Sequence, residues 1–377
     1  MKHANIAVFI PHLGCPYKCL FCDQNRISRP GLAPPPSDIP ELIQKHLSTM
    51  DRNQTEVELA FFGGSFTALP KSTQEAYLAM ARPYLGRGLL KGVRLSTRPD
   101  CVDQESLDFL KRWGVSTIEL GIQSFDDRVL YMSGREYSAR QAERACRMVK
   151  AAGFSLGIQL MLGLPGDDEA AVYHSTRRAV SLAPDLVRIY PTLVIKDTGL
   201  ENMLAQGSYL PLSLEQAVEL SKEMYIAFQS HNIPVVRMGL HPGEELRCPG
   251  TVLAGPYHPA FGELVQQAVF KEQALMLLGD IEGETPGISK VLLLVNQRDL
   301  SKMIGNNRRN LLEIQQIMSF KELSVAGRED LNSDEIAVFI AGGSERRLDR
   351  KGFVKRRRDP INTGSGRYIE ELKKTRI

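Results

Sequence analysis

Six short β-rich segments alternate with longer amphipathic segments along the first two thirds of the chain, and this alternation limits the fold more than any other feature. Each intervening stretch is long enough for a helix that crosses back over a sheet. The predicted strands are 5–10, 57–62, 93–97, 115–122, 154–162 and 186–190. The predicted helices are 40–50, 72–85, 103–113, 139–152, 169–182 and 214–231. The pattern predicts an α/β fold whose parallel sheet curves into a partial (β/α)6 barrel of the TIM type.

A second, smaller domain is expected, because 377 residues exceed what one hydrophobic core usually supports. We predict a barrel over 1–240, a barrel-closing or linking segment over 241–284, a small α+β domain over 285–345 and a basic tail over 346–377. The α+β domain is predicted to contain strands at 291–295, 322–325 and 335–340 and helical residues over 300–318.

Charge is distributed unevenly along the chain. The segment 346–377 holds 12 Lys or Arg against 4 Asp or Glu, whereas the remaining residues hold 35 against 40. A basic tail on a mildly acidic body suggests a polyanionic partner such as RNA, and a tail that is merely solvated is the other interpretation. No apolar run reaches the roughly 18 residues that span a bilayer, so we expect no membrane segment and a cytoplasmic protein.

Three of the six cysteines fall within eight residues, as Cys15, Cys19 and Cys22, and the other three are scattered. In a chain without a secretion signal, such crowding favours a metal centre over disulfides. Three thiolates can hold three irons of a four-iron cluster and leave the fourth iron open. Structural zinc, with His12 or His3 as a further ligand, is the alternative.

Unusual residues stand at the end of every predicted strand, where the functional site of a parallel βα fold lies. After the cysteines, which follow the first strand, they are Gly63, Gly64 and Ser65 at the second, Ser96, Thr97 and Arg98 at the third, Gln123 at the fourth, Gln159 in the fifth and Tyr190 at the sixth. Closure of the sheet would bring these residues around one cavity. This convergence predicts an enzyme.

The cysteine spacing, with Phe21 before the last cysteine, resembles the signature of radical S-adenosylmethionine (SAM) enzymes. Segments 62–70, 97–100 and 189–195 resemble the radical domain of the Elongator catalytic subunit. The stretch from 121–125 through 163–166 is similar both to that group and to oxygen-independent coproporphyrinogen oxidase. The resemblance extends over about two thirds of the chain.

This resemblance implies a [4Fe–4S] cluster on the three cysteines, SAM as the second cofactor, and reductive cleavage of SAM to a 5′-deoxyadenosyl radical. It implies that Phe21 contacts the adenine of SAM and that Gln123 and Arg135 bind its polar groups, although Arg135 could equally be a solvated charge. Cofactor binding is also expected of Gly63, Gly64, Ser65, Ser96, Gln159 and Tyr190. Ser96 and Gln159 depart from the oxidase pattern, which has Glu and Asp there, so charge pairing with the cofactor is lost at both positions.

The substrate is less constrained. The Elongator subunit modifies a wobble uridine of tRNA with the help of an acetyltransferase domain, and we expect no acetyl transfer here. The small C-terminal domain resembles a degenerate KH module, in which an Ile-Gly loop clamps the nucleic-acid backbone and Arg308 replaces the second glycine. Lys302, Arg308 and Arg309 would then contact RNA phosphates. An accessory α+β domain without RNA contacts is the alternative.

The predicted function is therefore a radical SAM enzyme that modifies RNA, with tRNA favoured, and that receives electrons from a flavodoxin or ferredoxin. One alternative is a tetrapyrrole-related oxidase or haem-handling protein of the coproporphyrinogen oxidase group. The other is a non-catalytic iron–sulfur protein that binds RNA and senses redox state.

Overall fold

The computed structural model describes residues 2–24, 33–51, 54–240, 243–284, 287–339 and 345–357. The chain divides into two compact units, of which the first comprises 1–214 with 233–259 and the second 215–232 with 260–377. This division differs from the predicted boundary at 240. The helical segment 215–232 belongs to the second unit, and the chain returns to the first unit over 233–259.

The first unit is built on a parallel sheet, which has seven strands in the described part of the chain. They are β1 Lys2–Phe9, β2 Thr55–Phe62, β3 Gly92–Thr97, β4 Val115–Gln123, β5 Ser155–Leu162, β6 Leu186–Pro191 and β8 Val235–Met238, hydrogen-bonded in that order. A short antiparallel pair joins β7 Val194–Ile195 to β9 Val252–Ala254. The predicted strands and the partial-barrel fold class are confirmed. The four residues of β8 are too few to give a periodic signal in the sequence.

Helices connect the parallel strands of this unit. They are α1 Ile39–Leu47, α2 Lys71–Gly86, α3 Gln104–Arg112, α4 Asp127–Met132, α5 Ala139–Ala151, α6 Glu169–Ser181 and α7 Gly199–Ala205, and α9 Glu244–Arg247 follows β8. Side-chain caps fix where several of them begin. The carboxylate of Asp103 accepts from the backbone N–H of Ser106 at 2.8 Å, and Ser138 forms the same kind of capping box with Gln141.

The second unit contains a four-stranded sheet with the order β11-β10-β12-β13 in the described residues. Its strands are β10 Lys290–Val295, β11 Glu322–Gly327, β12 Ile336–Phe339 and β13 Glu345–Leu348, and its helices are α8 Leu214–Ser230, α10 Phe261–Glu284, α11 Leu300–Ile304, α12 Arg309–Met318 and α13 Arg350–Arg356. Strands β10 and β11 are parallel, whereas β12 is antiparallel to both β10 and β13. No helix in the described ranges is long and apolar enough to cross a membrane.

The prediction of a linking segment over 241–284 is wrong in its second half. Helix α10 occupies 24 residues there, and side chains such as Val269, Phe270 and Leu275 are fully buried. Its buried residues lie on more than one face, so the sequence does not show the one-sided periodicity of a surface helix.

The basic tail does not begin at 346 as predicted. Strand β13 and helix α13 belong to the fold of the second unit, where Phe353 and Val354 are buried, and only 358–377 lie outside the described residues. Five arginines of this region pair with carboxylates of the same unit: Arg346 with Glu284, Arg347 with Glu345, Arg350 with Asp334, Arg356 with Asp280 and Arg357 with Glu223. Much of the positive charge up to residue 357 is therefore balanced within the unit.

Candidate functional site

A cavity of about 610 Å³ lies in the first unit, where the parallel strands end. It brings together nearly all the residues predicted for the cluster and SAM. Those that line it are Cys15, Cys19, Phe21, Cys22, Gly63, Gly64, Ser96, Gln123, Arg135, Gln159 and Tyr190. Closure of the sheet thus places residues that are far apart in sequence around one space large enough for a small-molecule ligand.

Ser65 is the exception. Its side chain is fully buried away from the cavity, and its hydroxyl lies 2.9 Å from the hydroxyl of Thr97 and accepts from the backbone N–H of Arg98 at 3.3 Å. Because these partners satisfy the hydroxyl inside the protein, the structure assigns Ser65 to joining the ends of β2 and β3, and the expected contact with SAM is not supported.

The loop that carries the three cysteines is closed by a reciprocal pair of hydrogen bonds. The backbone N–H of His12 donates to Oε1 of Gln24 at 2.7 Å, and the backbone N–H of Gln24 donates to Nε2 of His12 at 2.8 Å. The other candidate zinc ligand, His3, has its Nε2 2.9 Å from the carboxylate of Glu58. Both imidazoles thus have hydrogen-bond partners at Nε2 within the protein.

The glycine pair after β2 is required by this same loop. A Cβ on Gly64 would lie 2.1 Å from the carbonyl oxygen of Leu13 and 2.6 Å from that of Ile10. The backbone N–H of Ser65 also donates to the Leu13 oxygen at 2.9 Å. Gly63 has φ +104°, a conformation that side chains rarely adopt. Gly64 must therefore be small for the cysteine loop to pack on β2, and both glycines also line the cavity.

The three thiols lie close enough to influence one another. Burial raises the pKa of Cys22, and the neighbouring Cys19 and Cys15 thiols raise it further. Burial and Cys19 likewise raise the pKa of Cys15. Among the described residues, no three His, Cys, Asp or Glu side chains converge on a point suited to one metal ion. Three free, neighbouring thiols match the donor set of an iron–sulfur cluster, in which each thiolate binds its own iron.

Two buried arginines approach the sulfur of Cys19. Nη1 of Arg135 is 3.2 Å from Sγ, and Nη1 of Arg98 is 3.6 Å from the same atom. Arg135 is only 6% exposed, and its Nε donates to the hydroxyl of Tyr137 at 2.9 Å. The interpretation of Arg135 as a solvated charge is therefore wrong. Arg98 was expected at this end of the sheet but was given no role of its own, and Tyr137 was missed as a neighbour of the site.

Gln123 occupies a strained position at the end of β4. It has φ +68°, uncommon for any residue but glycine, and the register between β4 and β5 shifts between Gly121 and Gln123. Such a bulge redirects a side chain, and local strain of this kind persists where surrounding contacts hold it. Here Nε2 of Gln159 donates to Oε1 of Gln123 at 3.1 Å.

Charged side chains form an ion-pair network across the strands, and two of its members, Glu119 and Arg188, line the cavity. Arg94 bridges Glu58 and Glu119 at 2.6 and 2.9 Å, and Arg188 binds Glu119 at 2.6 Å. Burial raises the pKa of Tyr190, which lies beside Arg188, so its hydroxyl stays protonated and can donate a hydrogen bond into the cavity. Sequence reasoning missed Glu119 and Arg188, and charged residues inside β-rich segments are the signal that could have identified them.

Two family models match the chain. The radical SAM superfamily matches residues 9–179, and the radical SAM C-terminal domain matches residues 184–271. The chain belongs to the radical SAM superfamily. Members of this superfamily bind a [4Fe–4S] cluster and SAM, so the predicted family and cofactors are confirmed, as is the expectation of a radical SAM enzyme at the level of the family.

Relatives of this radical SAM protein include enzymes and a chaperone. It is 25% identical to the tRNA uridine(34) acetyltransferase of Methanocaldococcus infernus over 256 residues, 58% of this chain and 48% of the relative. It is 26% identical to Elongator complex protein 3 of Saccharomyces cerevisiae, over 47% of this chain and 35% of that protein. It is 26% identical to the heme chaperone HemW of Bacillus subtilis, over 58% of this chain and 59% of that protein. The chain spans about half the length of the acetyltransferase relative.

A solved structure shows the same fold. The archaeal Methanocaldococcus infernus Elp3 with an N-terminal deletion superposes with a TM-score of 0.55 at 20% sequence identity, over 72% of this chain and 63% of that one. The likeness supports the partial-barrel architecture described above.

Proposed function

We propose that this protein is a radical SAM enzyme that modifies RNA, with tRNA as the favoured substrate. The observation that carries the radical chemistry is the convergence of Cys15, Cys19 and Cys22 with Gln123 and Arg135 on one cavity at the strand ends. When bound, the cluster supplies an electron that splits SAM into methionine and a 5′-deoxyadenosyl radical. We further propose that a flavodoxin or ferredoxin provides that electron.

The residues of the chain bind and orient the cofactors. Cys15, Cys19 and Cys22 hold the cluster, and the His12–Gln24 pair fixes the ends of their loop. Gln123 presents a neutral amide whose Nε2 is free to donate, because its Oε1 already accepts from Gln159.

RNA as the substrate is supported by the second unit. Strand β10, helices α11 and α12 and strand β11 follow one another as in the nucleic-acid-binding core of a KH module, and the loop between the helices runs from Gly305 to Arg308. Arg308 has φ +63°, the left-handed conformation that glycine adopts readily. The name of the tRNA uridine(34) acetyltransferase relative points to the same substrate class.

The three predicted phosphate contacts have different surroundings. Nζ of Lys302 is 2.7 Å from Oδ1 of Asp299, and Nε of Arg309 donates to Oε1 of Glu313 at 2.7 Å. Arg308 is exposed and has no carboxylate partner among the described residues. Since an unbalanced guanidinium gains most from a phosphate, we assign the strongest contact of the three to Arg308.

Nucleoside profiling tests the substrate. Total tRNA from cells that lack the gene should lack one modified nucleoside, and a plasmid copy of the natural protein should restore it, whereas a Cys19→Ser copy should not. Unchanged nucleosides in tRNA and in other RNA classes would remove RNA as the substrate.

A haem-handling role is the second candidate, because the heme chaperone HemW is a relative of comparable identity. Titration of the purified protein with haem, monitored by visible absorption, distinguishes the haem-handling role from RNA modification. Saturable binding of one haem with unchanged RNA nucleosides would favour the haem-handling role.

A further inference from the structure

We propose that Arg98 is a positioning residue that sets the reduction potential of the cluster through the sulfur of Cys19. Its Nη1 lies 3.6 Å from Cys19 Sγ, within range of an N–H···S hydrogen bond. The inference concerns the family's cluster and is independent of which substrate the enzyme modifies.

Arg98 is held in one orientation. Its Nε and Nη2 donate to the two carboxylate oxygens of Asp100 at 2.9 and 2.8 Å, and the side chain is only 5% exposed. The rings of Tyr17 and Tyr137 lie with their centroids 5.3 and 5.5 Å from the guanidinium carbon. Because the carboxylate holds one edge of the planar guanidinium, the remaining Nη1 is directed at Cys19 without further ordering.

The position suits electrostatic tuning. Donors to a cluster thiolate stabilise the more negative, reduced cluster, so they raise its reduction potential. Arg98 is buried, so salt in the solvent screens its charge little. Arg135 approaches the same sulfur but also donates to Tyr137 and to the carbonyl oxygen of Gly121. Arg98 is thus a second donor on one sulfur; it shares the neighbour Tyr137 with Arg135, but its carboxylate anchor is Asp100.

A redox titration of the reconstituted full-length protein without SAM or RNA tests the proposal. The fraction of reduced cluster is followed by electron paramagnetic resonance at a series of potentials. In Arg98→Gln the ratio of reduced to oxidised cluster at a fixed potential should fall at least about tenfold. This corresponds to a reduction potential lower by about 59 mV for a one-electron couple. Arg98→Lys keeps the positive charge but loses the planar guanidinium. Its ratio of reduced to oxidised cluster should lie between those of Arg98→Gln and the natural protein. Arg82→Gln is the matched control, because Arg82 packs on the ring of Trp113, and it should not change the ratio.

Two results would overturn the proposal. One is an Arg98→Gln protein with full iron and sulfide content and an unchanged potential, which would leave Arg98 a structural role only. The other is an equal shift in Arg82→Gln. Should Arg98→Gln fail to assemble a cluster, Arg98→Lys decides: a lower potential than the natural protein supports the proposal, and an identical one contradicts it.

Discussion

Gln159 on β5 donates from Nε2 to Oε1 of Gln123 on β4 at 3.1 Å, so two neutral amides meet at the strand ends that line the cavity. The coproporphyrinogen oxidase pattern has an Asp at the position of Gln159. Here the pair carries no charge, and the orientation of Gln123 depends on its neighbour. We therefore propose that a cofactor bound at this point is held by hydrogen bonds rather than by ion pairing.

Gln123→Ala should weaken binding of SAM about tenfold, or about 1.4 kcal/mol, because a buried amide donor is lost and Gln159 loses its acceptor. Calorimetric titration of the reconstituted protein with SAM measures the change. Gln104→Ala is the matched control, since Gln104 bonds Asp108 on the exposed side of α3. Equal affinity for the natural protein and Gln123→Ala would exclude Gln123 from the SAM site.

Asp167 should make the protein less stable as the pH rises. Burial raises the pKa of Asp167 from its ordinary 3.8 to about 7, and its Oδ1 has no hydrogen-bond partner among the described residues. Between about pH 4 and about pH 7 the folded protein keeps a proton that the unfolded chain has lost, so this group's stabilising contribution falls with rising pH, by up to about 1.4 kcal/mol per pH unit.

Asp167→Asn, which cannot ionise, should remove that dependence. Urea unfolding of both proteins at a series of pH values measures the free energies of unfolding, and the difference between them isolates Asp167. A difference that stays constant from about pH 4 to about pH 8 would contradict the burial of an ionisable carboxyl group at this position.

Arg308→Ala should weaken tRNA binding and reduce the slope of log affinity against log salt concentration by about 1, since one phosphate contact is lost. Lys290→Ala is the control, because Lys290 pairs with Glu322 on the sheet. Binding is measured by fluorescence anisotropy at several salt concentrations. An unchanged slope in Arg308→Ala would remove the loop between α11 and α12 from the RNA interface.

Two truncations should separate fold from tail. Ending the chain after 345 removes Phe353, Val354 and Arg357, all buried, and loss of the phenyl group alone should cost about 3 kcal/mol. Ending it after 357 keeps these contacts and should leave the melting temperature unchanged. Calorimetry compares the two proteins with the full chain. Identical melting of both truncations would show that α13 contributes nothing to the stability of the second unit.

The sequence predicted the barrel strands and the convergence of their ends, because β-rich segments and helical periodicity are local signals. The sequence could not predict the contact between the guanidinium of Arg98 and the sulfur of Cys19, since that contact depends on how β3 packs beside the cysteine loop. Nor could it predict the packing requirement at Gly64, because only the folded backbone shows that Leu13 and Ile10 occupy the space of a side chain. The charge of 346–357 was misread for a similar reason: the carboxylates that balance it are distant in sequence.

Anaerobic reduction of the reconstituted protein with SAM, followed by chromatography for 5′-deoxyadenosine, tests the central claim most directly. The natural protein should form 5′-deoxyadenosine and methionine. Cys19→Ser should form neither, whereas Cys146→Ser, which changes a buried cysteine of α5, should match the natural protein. A natural protein that holds its full iron and sulfide yet forms no 5′-deoxyadenosine with any reductant would contradict the assignment of radical chemistry to this site.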